Sequence, residues 1–553
     1  MTQNAKNPSR RKLLRTAVIG GAFAVTVRAT PLQPLLASVR ERWLSDHAAG
    51  DVSSFEFEEI TIAELQAGMT AGKYTARAIA EKYLTRIDQI DKNGPAINSV
   101  IEINPDALSI AESLDKERKD KGVRGPLHGI PVMIKDNVDT ADRMMTTAGS
   151  LALVGSKPAK DSTVAQKLRD AGAVILAKTN LSEWANIRSG HSTSGWSGRG
   201  GQTKNPYALD RNPCGSSSGS GAGVSANLCA GAIGTETDGS IVCPSSSNGL
   251  VGIKPTVGLT SRTGIIPISH SQDGAGPMCR TVRDAATMLG AITGIDEEDR
   301  ATLDSRERSY TDYTQFLKSD GLRGARIGVV RQRFGFHEGV DKVMESALDA
   351  LKREGAILVD PANIETSGKF GDSEFIVLLY ELKADLNAYL ARLDPNAPVK
   401  TLKDIIDFNE KNREKEMPYF GQDTFIKAEE KGPLTSQEYL DALSKNHHLA
   451  RKEGIDATMD KNNLDALIAP TGGPAWIVDH VNGDYFGGGS STAAAVAGYP
   501  NITVPAGFIS GLPVGISFFG RAWSEPVLIR LAFAFEQTTK IRKAPRFLPH
   551  VEI

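Results

Sequence analysis

The stretch "PCGSSSGSGAG" (residues 213–223) decides how this chain is read, because its Gly, Ala and Ser content is that of a flexible linker. A second stretch of the same kind, "IGTETDGSIVCPSSSNG" (residues 233–249), follows almost at once. The two are either hinges or the two halves of one site. Their glycines permit backbone shapes that other residues refuse. Ser240 follows Gly239 in what reads as a tight turn. There the backbone N–H groups of Thr237, Asp238, Gly239 and Ser240 could converge on an oxyanion.

A serine becomes a nucleophile only when a base takes its proton. Of the nine histidines, His128, His191 and His270 are the plausible candidates, and none belongs to a GxSxG context. Lys135 is the alternative. It ends the short apolar run "GIPVMIKDN" (residues 129–137), which reads as a buried strand. A shift of ~3 units from the ordinary lysine value of ~10.4, worth roughly 4 kcal/mol, would make it a working base at neutral pH. Asp136 next door could equally hold its charge. A lysine base relayed through a second serine fits these pieces better than a Ser-His-Asp scheme.

Working outward, "TIAELQAGMTAGKYTARAIAEKYLTRIDQID" opens with a capping box, Thr61 to Glu64, and sets Ala78, Ile79, Tyr83 and Ile87 on one helical face. "STVAQKLRDAG" predicts a helix stopped at Gly172, and "AGAVILAKTN" (residues 171–180) a strand. Strand and helix patterns keep alternating through "GARIGVV", "GVDKVMESALDALKREGA" and "AILVD". Residues 374–460 are mostly helical and charged. "LDALIAP" and "NITVPAGF" read as late strands, and "SEPVLIRLAFAFEQ" as a last helix capped by Ser524, with Val527, Leu531 and Phe535 on one face. The rhythm predicts an α/β fold with a mixed sheet between helices, in one large domain.

The 553 residues carry 64 Lys and Arg against 66 Asp and Glu, so no general field favours nucleic acid or acidic lipid. Cys214, Cys229, Cys243 and Cys279 show no paired spacing and read first as small buried hydrophobes, with a disulfide or metal role as the alternative. No metal-binding motif is present, so neither a metal nor a cofactor is expected. The amino terminus has Arg10 and Arg11 before a mildly apolar run from Ala17 to Val27, too short to span a bilayer. This pattern reads as a twin-arginine signal peptide over residues 1–37, cut after Ala29 or Ala37, with no permanent membrane anchor. It predicts a bacterial periplasmic or secreted protein that uses the twin-arginine export machinery.

"GIPVMIKDN", "PCGSSSGSGAGVSA", "GTETDGSIVCPSSSNGLVGIKPTVG" and the carboxyl-terminal "NITVPAGFISGLPVGISFFGRAWSEPVLIRLAFAFEQ" together resemble the amidase signature family, over about residues 56–546. Residues 38–55 form a polar segment before that domain. The resemblance implies the amidase signature fold, a large mixed central sheet covered by helices on both faces, and an amide hydrolase with a Ser-Ser-Lys triad. Lys135 matches the base, Ser216 the relay serine after a cis peptide, and Ser240 the nucleophile. Gly215, Ser217 and Ser218 match supporting positions. Many members have "DTGGSIR" where this chain has "ETDGSIV", so Glu236, Asp238 and Val242 replace Asp, Gly and Arg. That loop, and the helical region with "YELKADLNAYL" and "MPYFGQD", is similar to the peptide amidase branch, which deamidates C-terminally amidated peptides. The alternatives are a broad amidase for aryl, fatty-acyl or aliphatic amides and, more remotely, a glutaminyl amidotransferase subunit.

Overall fold

The run ending at Lys135 is a fully buried strand, third from one edge of an eleven-stranded sheet. A computed structural model describes residues 54–395 and 397–552; the leader predicted at residues 1–37, and the polar segment up to residue 53, lie outside them. Two of the predicted strands, β2 (Pro131–Lys135) and β3 (Val174–Thr179), are buried along their whole length and run parallel. Continuous apolar burial of this kind requires helices over both faces.

In chain order the other strands are β1 (Val100–Ile103), the short pair β4 (Trp196–Ser197) and β5 (Gly201–Gln202), β6 (Gly231–Glu236), β7 (Val251–Lys254), β8 (Gly274–Cys279), β9 (Arg326–Val329), β10 (Ile357–Val359), β11 (Ala466–Pro470), β12 (Asn501–Ile509) and β13 (Leu512–Phe519). Eleven of them form one sheet in the order β1-β3-β2-β6-β8-β7-β12-β13-β11-β9-β10. Parallel pairs (β2 with β3 and β6, β9 with β10 and β11) stand beside antiparallel ones (β6 with β8, β12 with β13), so the sheet is mixed as expected.

The capping box at Thr61 and Glu64 is present, but the first helical stretch is two helices, Ile62–Thr70 and Ala76–Ile87. Gly72 at φ 71° ends one and the Thr75 hydroxyl, accepting from the Ala78 N–H, caps the other. The last helix, Glu525–Thr539, follows Ser524, whose hydroxyl donates backward to the Arg521 carbonyl instead of capping it. The serine-rich block itself is helical, Ser218–Ser225, and buried throughout. A second short helix, Val242–Ser247, follows Ser240.

Candidate active site

Lys135 stands at the end of β2, beside Thr235 near the end of its parallel neighbour β6. Its Nζ lies 2.7 Å from Ser216 Oγ, 2.8 Å from Thr235 Oγ1 and 3.3 Å from the Thr235 carbonyl oxygen. Among the described residues no carboxylate pairs with it. Burial therefore lowers the Lys135 pKa to about 7, against the pull of the Asp273 and Glu236 charges. The neighbour Asp136 turns away, accepting from Thr147 Oγ1 and the Gly149 N–H and facing Arg199 and Lys178.

Ser216 follows a cis Gly215–Ser216 peptide, and its carbonyl accepts from the Ser182 N–H at 3.0 Å. Ser217 binds the second block: its N–H donates to the Ser240 carbonyl at 3.2 Å, and its hydroxyl donates to the Thr235 carbonyl at 3.0 Å. Ser218 Oγ donates to the Cys214 carbonyl at 2.7 Å, closing the turn around Ser216. The two Gly/Ser blocks are thus one structure. A disulfide joins them again, Cys214 to Cys243, each cysteine a few residues from a serine of the site. This corrects the first reading of those two cysteines; Cys229 and Cys279 are buried free thiols.

The turn before Ser240 is held by two acids, the buried Glu236 and the half-buried Asp238. Glu236 Oε2 accepts from the N–H groups of Ile241 and Val242 at 2.7 and 2.9 Å, and Asp238 Oδ1 accepts from Ser491 Oγ at 2.5 Å. Gly239 has φ 78°, a conformation in which a side chain is strained. Thr237, Asp238, Gly239 and Ser240 all line one cleft of about 590 Å³, together with Cys214, Gly215 and Cys243. Exposure falls from 9% at Ser240 to 1% at Ser216 and 0% at Lys135, so the three run inward from the cleft wall.

None of the three weighed histidines is hydrogen-bonded to these serines among the described residues. His128 is buried against the Leu114 carbonyl, His191 is exposed, and His270 pairs with Asp385. His270, Glu381 and Asp385 bring ligand-type atoms within 4.8 Å of one another, but Glu381 already accepts from Ser269, Ser271 and Tyr439. Sequence reasoning missed Thr235, Asp273 and the cleft residues Trp476, Phe486 and Arg333, which arrive from remote segments. Of the helical region singled out above, Leu378 reaches the cleft.

The sequence profile of the amidase family matches residues 78–529. The chain belongs to the amidase family. A probable amidase of Arabidopsis thaliana is 45% identical over 90% of this chain and 93% of its own length. A crystal structure of a peptide amidase bound to the competitive inhibitor chymostatin superposes with a TM-score of 0.87 at 51% identity, covering 89% of this chain and all of that one. The native peptide amidase of Stenotrophomonas maltophilia gives 0.85 at 50%, covering 89% of this chain and all of its own. This amidase is accordingly a hydrolase of amide C–N bonds.

The relatives also correct one expectation. Relatives from a plant and from the fungi Schizosaccharomyces pombe and Arthroderma benhamiae, at 45%, 38% and 36% identity, point against a bacterial periplasmic protein exported by the twin-arginine route. The physical reason is one of information. A basic pair before a mildly apolar run is satisfied by many sequences, whereas similarity over some five hundred residues reflects a whole packed core.

Proposed function

We propose that this amidase cleaves its substrate through Lys135, Ser216 and Ser240, and that residues 56–546 are the catalytic domain. The observation that carries the reading is the 2.7 Å contact between Lys135 Nζ and Ser216 Oγ inside a fully buried pocket. A neutral amine has two N–H groups and one lone pair. Thr235 offers two acceptors to the N–H groups, which leaves the lone pair for the Ser216 proton. Ser216 gives its proton to Lys135 as it takes one from Ser240, whose oxygen attacks the amide carbonyl. The turn Thr237–Ser240 supplies backbone N–H groups to the oxyanion, and Gly215, Ser217 and Ser218 hold the relay in register. The protons return to the departing ammonia or amine. Water then hydrolyses the acyl-enzyme by the same route.

The substrate we infer is a C-terminally amidated peptide. A cleft of about 590 Å³ walled by Trp476, Phe486, Leu378 and Ile268 has the size of sites that hold extended organic ligands rather than small aliphatic amides. The similarity to a peptide amidase bound to a competitive inhibitor supports the same class. With the export reading withdrawn, the case against a glutaminyl amidotransferase role rests on similarity: the glutamyl-tRNA(Gln) amidotransferase subunit of Halorhodospira halophila shares only 33% identity, over 87% of this chain.

The test follows ammonia or amine release from an amidated dipeptide, an aliphatic amide and an aryl anilide, with wild type and Ser240→Ala. Fast ammonia release from the dipeptide amide, reduced at least ~10³-fold in the variant, is expected. Comparable turnover of the anilide would replace the peptide reading with that of a broad amidase.

A further inference from the structure

Asp273 lies at the entrance to β8, where Gly274 pairs with Glu236 of β6, and it belongs to neither serine block. Its Oδ1 accepts from the Thr237 hydroxyl at 2.6 Å. Its Oδ2 accepts from the N–H groups of Ile268 and Ser269 at 2.8 and 2.9 Å. One carboxylate therefore ties the first residue of the oxyanion turn to the loop that carries Ile268 into the cleft. Beside it, Gln272 Nε2 lies 3.4 Å from the Thr237 carbonyl oxygen and 3.1 Å from Glu374 Oε1.

The charge of the same carboxylate also reaches the lysine. Asp273, Thr235, Thr237 and Asn137 line one small pocket with room of about 10 Å³, roughly what one water needs. Thr235 Oγ1 accepts from both Lys135 Nζ and Asn137 Nδ2, so Thr235, which lines the same space as Asp273, fills part of the gap between the lysine and the carboxylate. Such a gap is screened far less than one in bulk water.

We propose that Asp273 is a positioning residue with two effects: it anchors Thr237, and so the oxyanion turn, and its charge sets how readily Lys135 gives up its proton. This rests on the lysine-base reading above. The charged groups facing the pair are few. Lys135 meets the fields of Asp273 and of Glu236 on β6; Asp273 meets Arg262, which is paired with Asp299. Beyond them stand His270, Asp385 and Glu381 on the other side of the same loop, and Glu374 behind Gln272. Burial pushes Asp273 itself up to about 6, close to Lys135 at about 7, so both groups reach their working forms as pH rises.

The experiment compares kcat, KM and the pH profile of kcat/KM for wild type, Asp273→Asn, Thr237→Val and Thr237→Ser, with Lys135→Ala as reference. In Asp273→Asn the lost negative charge lowers the lysine pKa, so the acid limb moves to lower pH by roughly one unit. An amide that keeps its oxygen on the Ile268 and Ser269 N–H groups turns an N–H donor towards the Thr237 hydroxyl, in place of the charge-assisted bond that anchors it. The turn is then misplaced, and kcat on the plateau falls ~10- to ~100-fold with a smaller change in KM. Thr237→Val lowers kcat without moving the limb, and Thr237→Ser, which keeps the hydroxyl, restores it. An acid limb that stays in place in Asp273→Asn, or that moves equally in Thr237→Val, overturns the proposal. So does a Thr237→Val variant with wild-type kcat. Lys135→Ala with wild-type activity would instead overturn the lysine-base reading.

Discussion

At the scale of single residues, the proposed relay turns on where Lys135 is placed. An amine deprived of water and given no carboxylate within bonding distance loses affinity for its proton, which lowers it to about 7. In the proposed relay the base is the neutral form, and its fraction grows as pH rises through that value. We therefore expect kcat/KM to climb through about pH 7, to level off above it and to be lost on acidification, as measured over pH 5 to 9. Lys135→Arg, which cannot lose its proton in this range, is expected to be inactive at every pH. The lysine itself was legible as a cation ending an apolar strand. The carboxylates that oppose its deprotonation were not, because Asp273 is distant in sequence and Glu236 looked like a substitution within the turn.

At the scale of elements, Ser218–Ser225 is the least obvious helix in the molecule. Its sequence, SGSGAGVS, has poor intrinsic helix propensity, and composition alone suggests a loop. It is helical because it is buried against the ends of several strands. A Cβ at Gly219 would stand 2.2 Å from the Ser99 carbonyl oxygen, so the backbone approaches as closely as it does only without side chains. Tertiary packing overrides propensity here, and no local signal in the chain records it. The Cys214–Cys243 disulfide ties this helix's approach to the short helix after Ser240, closing a loop with a sequence separation of 29. Replacing both cysteines by serine is expected to cost about 3–4 kcal/mol in chemical denaturation, with reduction of the wild type giving a similar loss.

At the scale of the whole molecule, the helical region between β10 and β11 is joined to the catalytic body through a buried ionic cluster. Arg188, 0% exposed, pairs with Glu183, donates to the Glu416 carbonyl at 2.6 Å and lies over the Phe420 ring at 4.3 Å. Glu416 in turn accepts from the Leu151 N–H at 2.6 Å, and Glu183 from the Gly198 N–H at 2.6 Å. Burial and the nearby Glu416 push the Glu183 carboxyl well up even with the guanidinium present. Arg188→Met would leave two buried carboxyls without their cation. We expect it to destabilise the fold by about 3–5 kcal/mol, read as a lower denaturation midpoint, and to loosen the wall that Leu378 lends to the cleft.

The sequence by itself determined the family and the mixed sheet with its helices, and its resemblance to that family named the three residues of the proposed relay. The sheet rests on a local pattern of apolar runs broken by turn residues, and the family and the relay on the resemblance of whole motifs. Only the tertiary structure decided that the two serine-rich stretches touch, which cysteines are paired, which acids hold the turn before Ser240, and which distant side chains wall the cleft. Those are contacts between segments tens to hundreds of residues apart. Hydrophobic burial brings the segments together without regard to their order along the chain, so the spacing of residues in the sequence carries no record of it.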